Sequence, residues 1–259
     1  MRDDSCYMEP LQLAGRIIME NGGETYRVEE TITRMGRAFG FAEVEAFAIP
    51  SGIFISYRKS DGTVETAVKR VRKGATNLTR VDAVNAISRR VEKEGLTCGE
   101  VLSQLRAVEE DRPLLSPAQL VGAVAVSSAG WAVMFGGGWV DFFVAAAGAA
   151  LAQLRALAAE RYRMRSMVSV ITGSFLSTIL PMLFHLATGL ISVDATVAAC
   201  LMPMLPGLAM TNAVQDAIRG DMVSAISSGT SAVLTAAMIA GGALIGSALF
   251  RLMTGGVPV

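Results

Sequence analysis

Histidine is almost absent: the 259 residues hold one, His185, set in an apolar run. A lone imidazole there argues against a zinc site. It also leaves no histidine base for a serine or cysteine nucleophile. Cysteine is scarce as well. Cys6, Cys98 and Cys200 have no C-x-x-C spacing and are odd in number, which argues against a disulfide framework and fits a reducing compartment. There is no phosphate loop and no G-x-S-x-G, so no metal, no cofactor and no enzymatic activity is expected. Net charge is zero, 23 basic residues against 23 acidic, so no nucleic-acid partner is expected, because such a partner calls for an excess of Lys and Arg. The N-terminal MRDDSCYMEP lacks an apolar h-region. No cleaved signal peptide is therefore expected, and insertion would rely on the first membrane span.

The most telling scarcity is local. Residues 1–112 carry 35 of the 46 charges, while residues 113–259 carry six Arg, no Lys and five acids. A 147-residue segment so poor in charge cannot cover a globular surface facing water. The expected fold is therefore an integral membrane α-helical bundle of about five transmembrane helices, residues 113–259, preceded by a small cytoplasmic α+β domain, residues 1–112.

In the first part, apolar spacing predicts helices over Met8–Asn21 and Glu24–Phe39, separated by Gly22-Gly23. Strands are expected at Phe41–Ile49, Gly52–Arg58 and Thr63–Val71, the last two joined at Ser60-Asp61-Gly62. Two more helices follow, Arg80–Lys93 and Cys98–Val108, the latter capped by Thr97 with Glu100 at its third position. Glu24, Arg27, Glu29 and Glu30 are either a site on the second helix or a solvated face with an ion pair between Glu24 and Arg27.

About 20 apolar residues cross a bilayer, and the spans are expected near 117–134, 139–157, 167–186, 190–210 and 224–250. Ser116-Pro117 is a helix start. Arg155, which interrupts the end of the second span, clusters with Arg161, Arg163 and Arg165 between the second and third spans, and Arg219 lies between the fourth and fifth. By the positive-inside rule both loops and the N-terminal domain are cytoplasmic and the C-terminus lies outside. Gly242 and Gly246 form a G-x-x-x-G pair, with the small pairs Ala237/Gly241 and Ala145/Ala149 elsewhere, as close helix seams require.

Polar groups at membrane depth mark substrate and ion paths. Pro203 and Pro206, followed by Gly207, each remove a backbone donor and should kink or break the fourth helix. Beyond them, Asn212 and Asp216 share a helix face, Thr211 and Gln215 make a second pair, and Arg219 is within reach of Asp216. Gly220 is placed to end this helix and Asp221 to cap the next. Asp141, His185 and Asp194 lie toward the outer side in this topology. They are either a proton relay or interfacially solvated groups.

The segment PGLAMTNAVQDAIRGDMVSA, Pro206–Ala225, resembles the signature of the threonine/serine exporter family (ThrE-like, with YjjP-like members). Glu20–Gly36, Ala48–Ser56 and Arg80–Arg89 are similar to the same family's cytoplasmic region. The sequence departs from the pattern at Ala225, where glycine is usual. The resemblance implies an inner-membrane secondary exporter of small hydrophilic metabolites, threonine and serine or, in some split members, a dicarboxylate such as succinate. Fused members have a second hydrophobic region and this chain stops at Val259. The resemblance therefore implies the larger subunit of a two-component exporter, partnered by a separately encoded smaller membrane protein. Proton coupling through Asp216 or Asp221 is expected. The alternative is a membrane-tethered ligand sensor or enzyme acting through the cytoplasmic domain.

Overall fold

The structure, a computed structural model, describes residues 6–72, 76–111, 114–162, 164 and 166–255. Arg163 and Arg165, two of the orientation-setting arginines, lie outside the described residues, as do residue 112 at the expected domain boundary and 256–259 at the C-terminus. Two compact units are present: Met1–Leu114 with Leu208–Thr230, and Leu115–Gly207 with Ser231–Val259. The first unit thus takes in a short stretch of the apolar half.

The first unit begins with α1 (Met8–Glu20) and α2 (Thr25–Ala38). The turn between them closes on Gly22 at φ +88°, and the Gly23 amide donates to the Ile18 carbonyl at 2.9 Å, a glycine C-cap. Then come β1 (Val44–Ile49), β2 (Gly52–Arg58) and β3 (Val64–Arg70), an antiparallel meander in that order. The pleat sends Ile53, Ile55 and Tyr57 into the core and leaves Phe54 exposed opposite Phe47 and Val68. Helices α3 (Leu78–Glu94) and α4 (Cys98–Glu110) complete the core with Val84, Val91 and Leu105. Thr97 and Glu100 form a reciprocal capping box at the start of α4. Helix α9 (Gly207–Ile218) from Leu208 onward, and the first turns of α10 (Met222–Thr254) to Thr230, belong to this unit.

The second unit holds α5 (Pro117–Met134), α6 (Trp139–Arg161), α7 (Ser166–Thr188) and α8 (Val193–Leu201), with α10 from Ser231 onward. Ser116 caps α5 in a reciprocal box with Gln119. The packing is built on small residues. Ala132, Ala145, Ala199 and Cys200 form a buried cluster where α5, α6 and α8 meet, as expected where hydrophobic collapse is weak and close backbone approach does the holding. Gly242 and Gly246 of α10 pack against α7: a Cβ at Gly242 would fall inside the envelopes of Ser174 Oγ and the Ile171 carbonyl, and one at Gly246 would lie 3.2 Å from the Phe175 carbonyl. Gly241, by contrast, faces open space.

Helices α5, α6, α7 and α10 are each long and apolar enough to cross a membrane, and the interrupted pair Val193–Met204 and Gly207–Ile218 makes a fifth if taken as one span. The α-helix expected over 190–210 stops at Leu201, passes through a 3-10 turn at Met202–Met204, and restarts at Gly207. Pro203 and Pro206 supply the physical cause, since neither can donate to the preceding turn. The restarted helix runs to Ile218, eight residues past Met210, and ends in a turn that has Gly220 at φ +87°.

Candidate functional site

In the first unit, α9 presents its polar face to the start of α2. Asp216 is 2% exposed, and its Oδ1 accepts the Thr25 hydroxyl at 2.8 Å. One turn earlier, Asn212 Nδ2 donates to the Gly22 carbonyl at 3.3 Å. The two residues four apart therefore do share a face, and that face grips the α1–α2 junction. Arg219 is not ion-paired with Asp216. Its guanidinium lies 3.5 Å from the centre of the Tyr26 ring, a cation–π contact. Gln215 Oε1 is buried with no described partner, and Thr211 is exposed. Asp221 Oδ1 accepts the Ser224 amide at 3.1 Å and so caps α10. Ser224 Oγ in turn reaches the Ala48 carbonyl at 3.4 Å. Ala225 is buried.

Strand β1 is an edge strand, and its Ala48 amide points away from β2. Glu29 on α2 accepts that amide at 2.9 Å. Burial pushes the Glu29 carboxyl above its ordinary range; the Ala48 amide opposes this, and the charges of Asp221 and Asp216 add to it. Glu24 differs. Burial raises it, but the Arg27 guanidinium bonded at 2.7 Å, its own backbone amide and the charges of Arg27 and Arg219 together hold it below the ordinary range. Of the α2 charges, Glu24/Arg27 and Glu30/Arg34 are surface ion pairs, while Glu29 alone among the three glutamates turns toward β1. A cleft of about 1150 Å³ opens beside these groups, with Tyr26, Glu29, Arg34, Phe47 and Arg219 in its wall.

In the second unit, Asp141 is 4% exposed and accepts three bonds: the Gly138 amide at 2.8 Å, the Ser192 amide at 2.8 Å and the Thr196 hydroxyl at 2.6 Å. His185 Nδ1 lies 2.8 Å from the Ile191 carbonyl. Asp141 and His185 thus hold adjacent residues of the turn between α7 and α8, with no bond between themselves. Asp194 is exposed in the first turn of α8, where a carboxylate suits the helix dipole. Pro203, Pro206 and Gly207 form the interruption already described.

Sequence reasoning missed Thr25, Tyr26 and Gly22 as partners of α9, because no local spacing signals a contact across 190 or so residues. It placed Arg155 near the end of the second span and counted it with the arginines of the following loop, but missed its partners. Helix α6 runs on to Arg161, so Arg155 lies inside the helix, and its guanidinium turns onto α7: Nη1 donates to Thr172 Oγ1 at 2.8 Å and Nη2 to Ser169 Oγ at 3.3 Å.

The profile of the ThrE family, described as "Putative threonine/serine exporter", matches residues 11–250. Two curated proteins named "Probable succinate transporter subunit YjjP" are similar along most of the chain. The one from Escherichia coli (strain K12) is 27% identical over 211 residues, covering 80% of this chain and 80% of its own length. The one from Klebsiella aerogenes is 28% identical over 210 residues, covering 78% of each. No solved structure matches. A profile match over nearly the whole chain, on a sequence with four or five candidate spans, places this multi-pass membrane protein in the threonine/serine exporter family.

Proposed function

We propose that the chain is a subunit of an inner-membrane secondary exporter of small hydrophilic metabolites. The substrate is a threonine/serine-type amino acid or a dicarboxylate such as succinate, efflux is driven by proton movement, and a separately encoded smaller membrane protein completes the exporter. Residues 1–112 form its cytoplasmic α+β domain and 113–259 its membrane domain, with the C-terminus outside. The arginines Arg161 and Arg219 support that orientation. Asp141, His185 and Asp194 remain candidates for a proton relay on the outer side.

One observation carries the reading. Asp216 is almost wholly buried on an apolar segment, and its described hydrogen-bond donor is a neutral hydroxyl, not a cation. An ionised carboxylate in that setting is costly, and a group that can shed the cost by taking up a proton is what a proton-coupled carrier needs. Pro203, Pro206 and Gly207 release backbone groups at the interruption. Thr211, Asn212, Gln215, Asp216, Arg219 and Asp221 supply polar side chains to the substrate or ion path.

The test is efflux from proteoliposomes that contain the chain with its smaller subunit and are loaded with labelled L-threonine or succinate. An imposed pH gradient should accelerate release, and Asp216→Asn should abolish the acceleration. No release from the wild-type complex would sink the reading. Unchanged release from Asp216→Asn would sink only the assignment of that residue. A second reading, a membrane-tethered sensor or enzyme, is favoured by the cleft between α2 and the sheet; it predicts saturable binding of a small ligand there without any transport.

A further inference from the structure

All described ion pairs lie between residues 9 and 109. Arg155 therefore has no carboxylate partner among the described residues. Its six-residue distance from the end of α6 at Arg161 places it about 9 Å inside the helix. A long cation near a membrane surface ordinarily stretches toward water. This one folds inward onto two hydroxyls of α7. The Thr172 hydroxyl already donates to the Val168 carbonyl at 2.8 Å, so it can only accept from Arg155. The Nε proton is buried with no described partner.

The surroundings make room for this guanidinium. Gly173 is bare beneath it: a Cβ there would lie 2.7 Å from Arg155 Nη2 and 2.9 Å from Met204 Cε. Met204 is the last residue of the 3-10 turn that interrupts the span. The cation therefore sits at the meeting of α6, α7 and the interruption, held by neutral groups that position it without neutralising it. A guanidinium with an unused Nε–H and an unpaired charge has the fork that carboxylates occupy with two parallel bonds.

We infer that Arg155 is the anchor for a carboxylate of the exported substrate, bound where α6, α7 and the Met202–Met204 turn meet. The inference rests on the transport reading and deepens it. Both substrate classes carry a carboxylate at neutral pH, so the anchor serves either. Thr172 and Ser169 position the guanidinium, and Gly173 leaves it the room to lie against α7.

The test uses the full-length chain in phosphatidylcholine nanodiscs, titrated with L-threonine, succinate and their carboxamides, beside export by cells expressing the chain with its smaller subunit. Wild type should bind an acid at least about tenfold more tightly than the matching carboxamide. Arg155→Gln should lose that preference along with export, and Arg155→Lys should keep part of it. The inference is overturned if wild type binds acid and carboxamide equally, which is independent of whether any variant folds. It is also overturned if Arg155→Gln binds and exports like wild type, or if phosphatidylglycerol added to the nanodiscs abolishes acid binding by wild type, which would make the guanidinium a lipid-headgroup contact. Wild type that neither binds an acid nor exports one defeats the transport reading and the anchor with it. Wild-type export undiminished in Arg155→Gln defeats the anchor alone.

Discussion

Thr25 and Asp216 share a buried hydrogen bond of 2.8 Å although 191 residues separate them. The bond joins the first turn of α2 to the last turn of α9. It leaves Asp216 with a hydroxyl where an arginine three residues on, Arg219, had been in reach. Replacing Thr25 by Val strips Asp216 of its described donor, which should cost about 1–3 kcal/mol. Because the two groups act together, Thr25→Val with Asp216→Ala should cost less than the sum of the single changes. Thermal unfolding of the four proteins measures the coupling; strict additivity would show that the bond contributes nothing.

Glu29 gives a pH signature with a definite sign. Its folded carboxyl is raised by burial and by Asp221 and Asp216. The stability it contributes is therefore full below its unfolded value, about 4.3, and is lost as pH rises through the raised folded value. Glu24, held low by Arg27 once burial is outweighed, works in the opposite direction, so the informative quantity is the difference between wild type and Glu29→Gln. The glutamine keeps an oxygen for the Ala48 amide and removes the charge. The variant should gain thermal stability over wild type at neutral pH, with the gap closing on acidification. A constant gap from pH 5 to 8 would contradict the assignment.

Asp221 has two candidate roles that one pair of substitutions separates. As the cap of α10 it is replaceable by Asn, whereas Asp221→Ala should cost about 1 kcal/mol. As a proton carrier it is replaceable by neither. Export lost in Asp221→Asn at unchanged melting temperature would assign it to the ion path. Export retained would leave it a cap.

Neighbouring glycines of α10 should respond oppositely. Gly242→Ala forces a methyl into Ser174 and the Ile171 carbonyl, so α7 and α10 must separate and the protein should melt lower. Gly241→Ala meets nothing within 4 Å and should be neutral or stabilising by up to about 1 kcal/mol through helix propensity. Equal effects at the two positions would refute the seam.

The local features of the fold were legible because they depend on residues within four positions of one another. The Thr97/Glu100 box, the Ser116-Pro117 helix start, the Gly22 and Gly220 helix ends, the Asp61-Gly62 hairpin and the interruption at Pro203 and Pro206 all follow from such neighbours. The partners of the polar side chains were not legible in that way. Asp216 with Arg219 was a reasonable pair by spacing, yet the aromatic face of Tyr26 takes the arginine. Glu29 looked like one more charge on a solvated helix until β1 presented it with an unpaired amide. Arg155 looked like part of a cytoplasmic cluster because three more arginines follow within ten residues.

By itself, the sequence determined how its charges divide: 35 of 46 precede residue 113, and a remainder so poor in charge suits apolar helices of spanning length. Only the tertiary structure decided what each of the few remaining polar groups touches. Long-range packing brings the Thr25 hydroxyl to Asp216 and the Ser192 amide to Asp141, and leaves Arg155 with hydroxyls alone. A buried polar group bonds whatever the fold places within about 3 Å, and that neighbour is chosen by how helices pack, which local spacing does not encode.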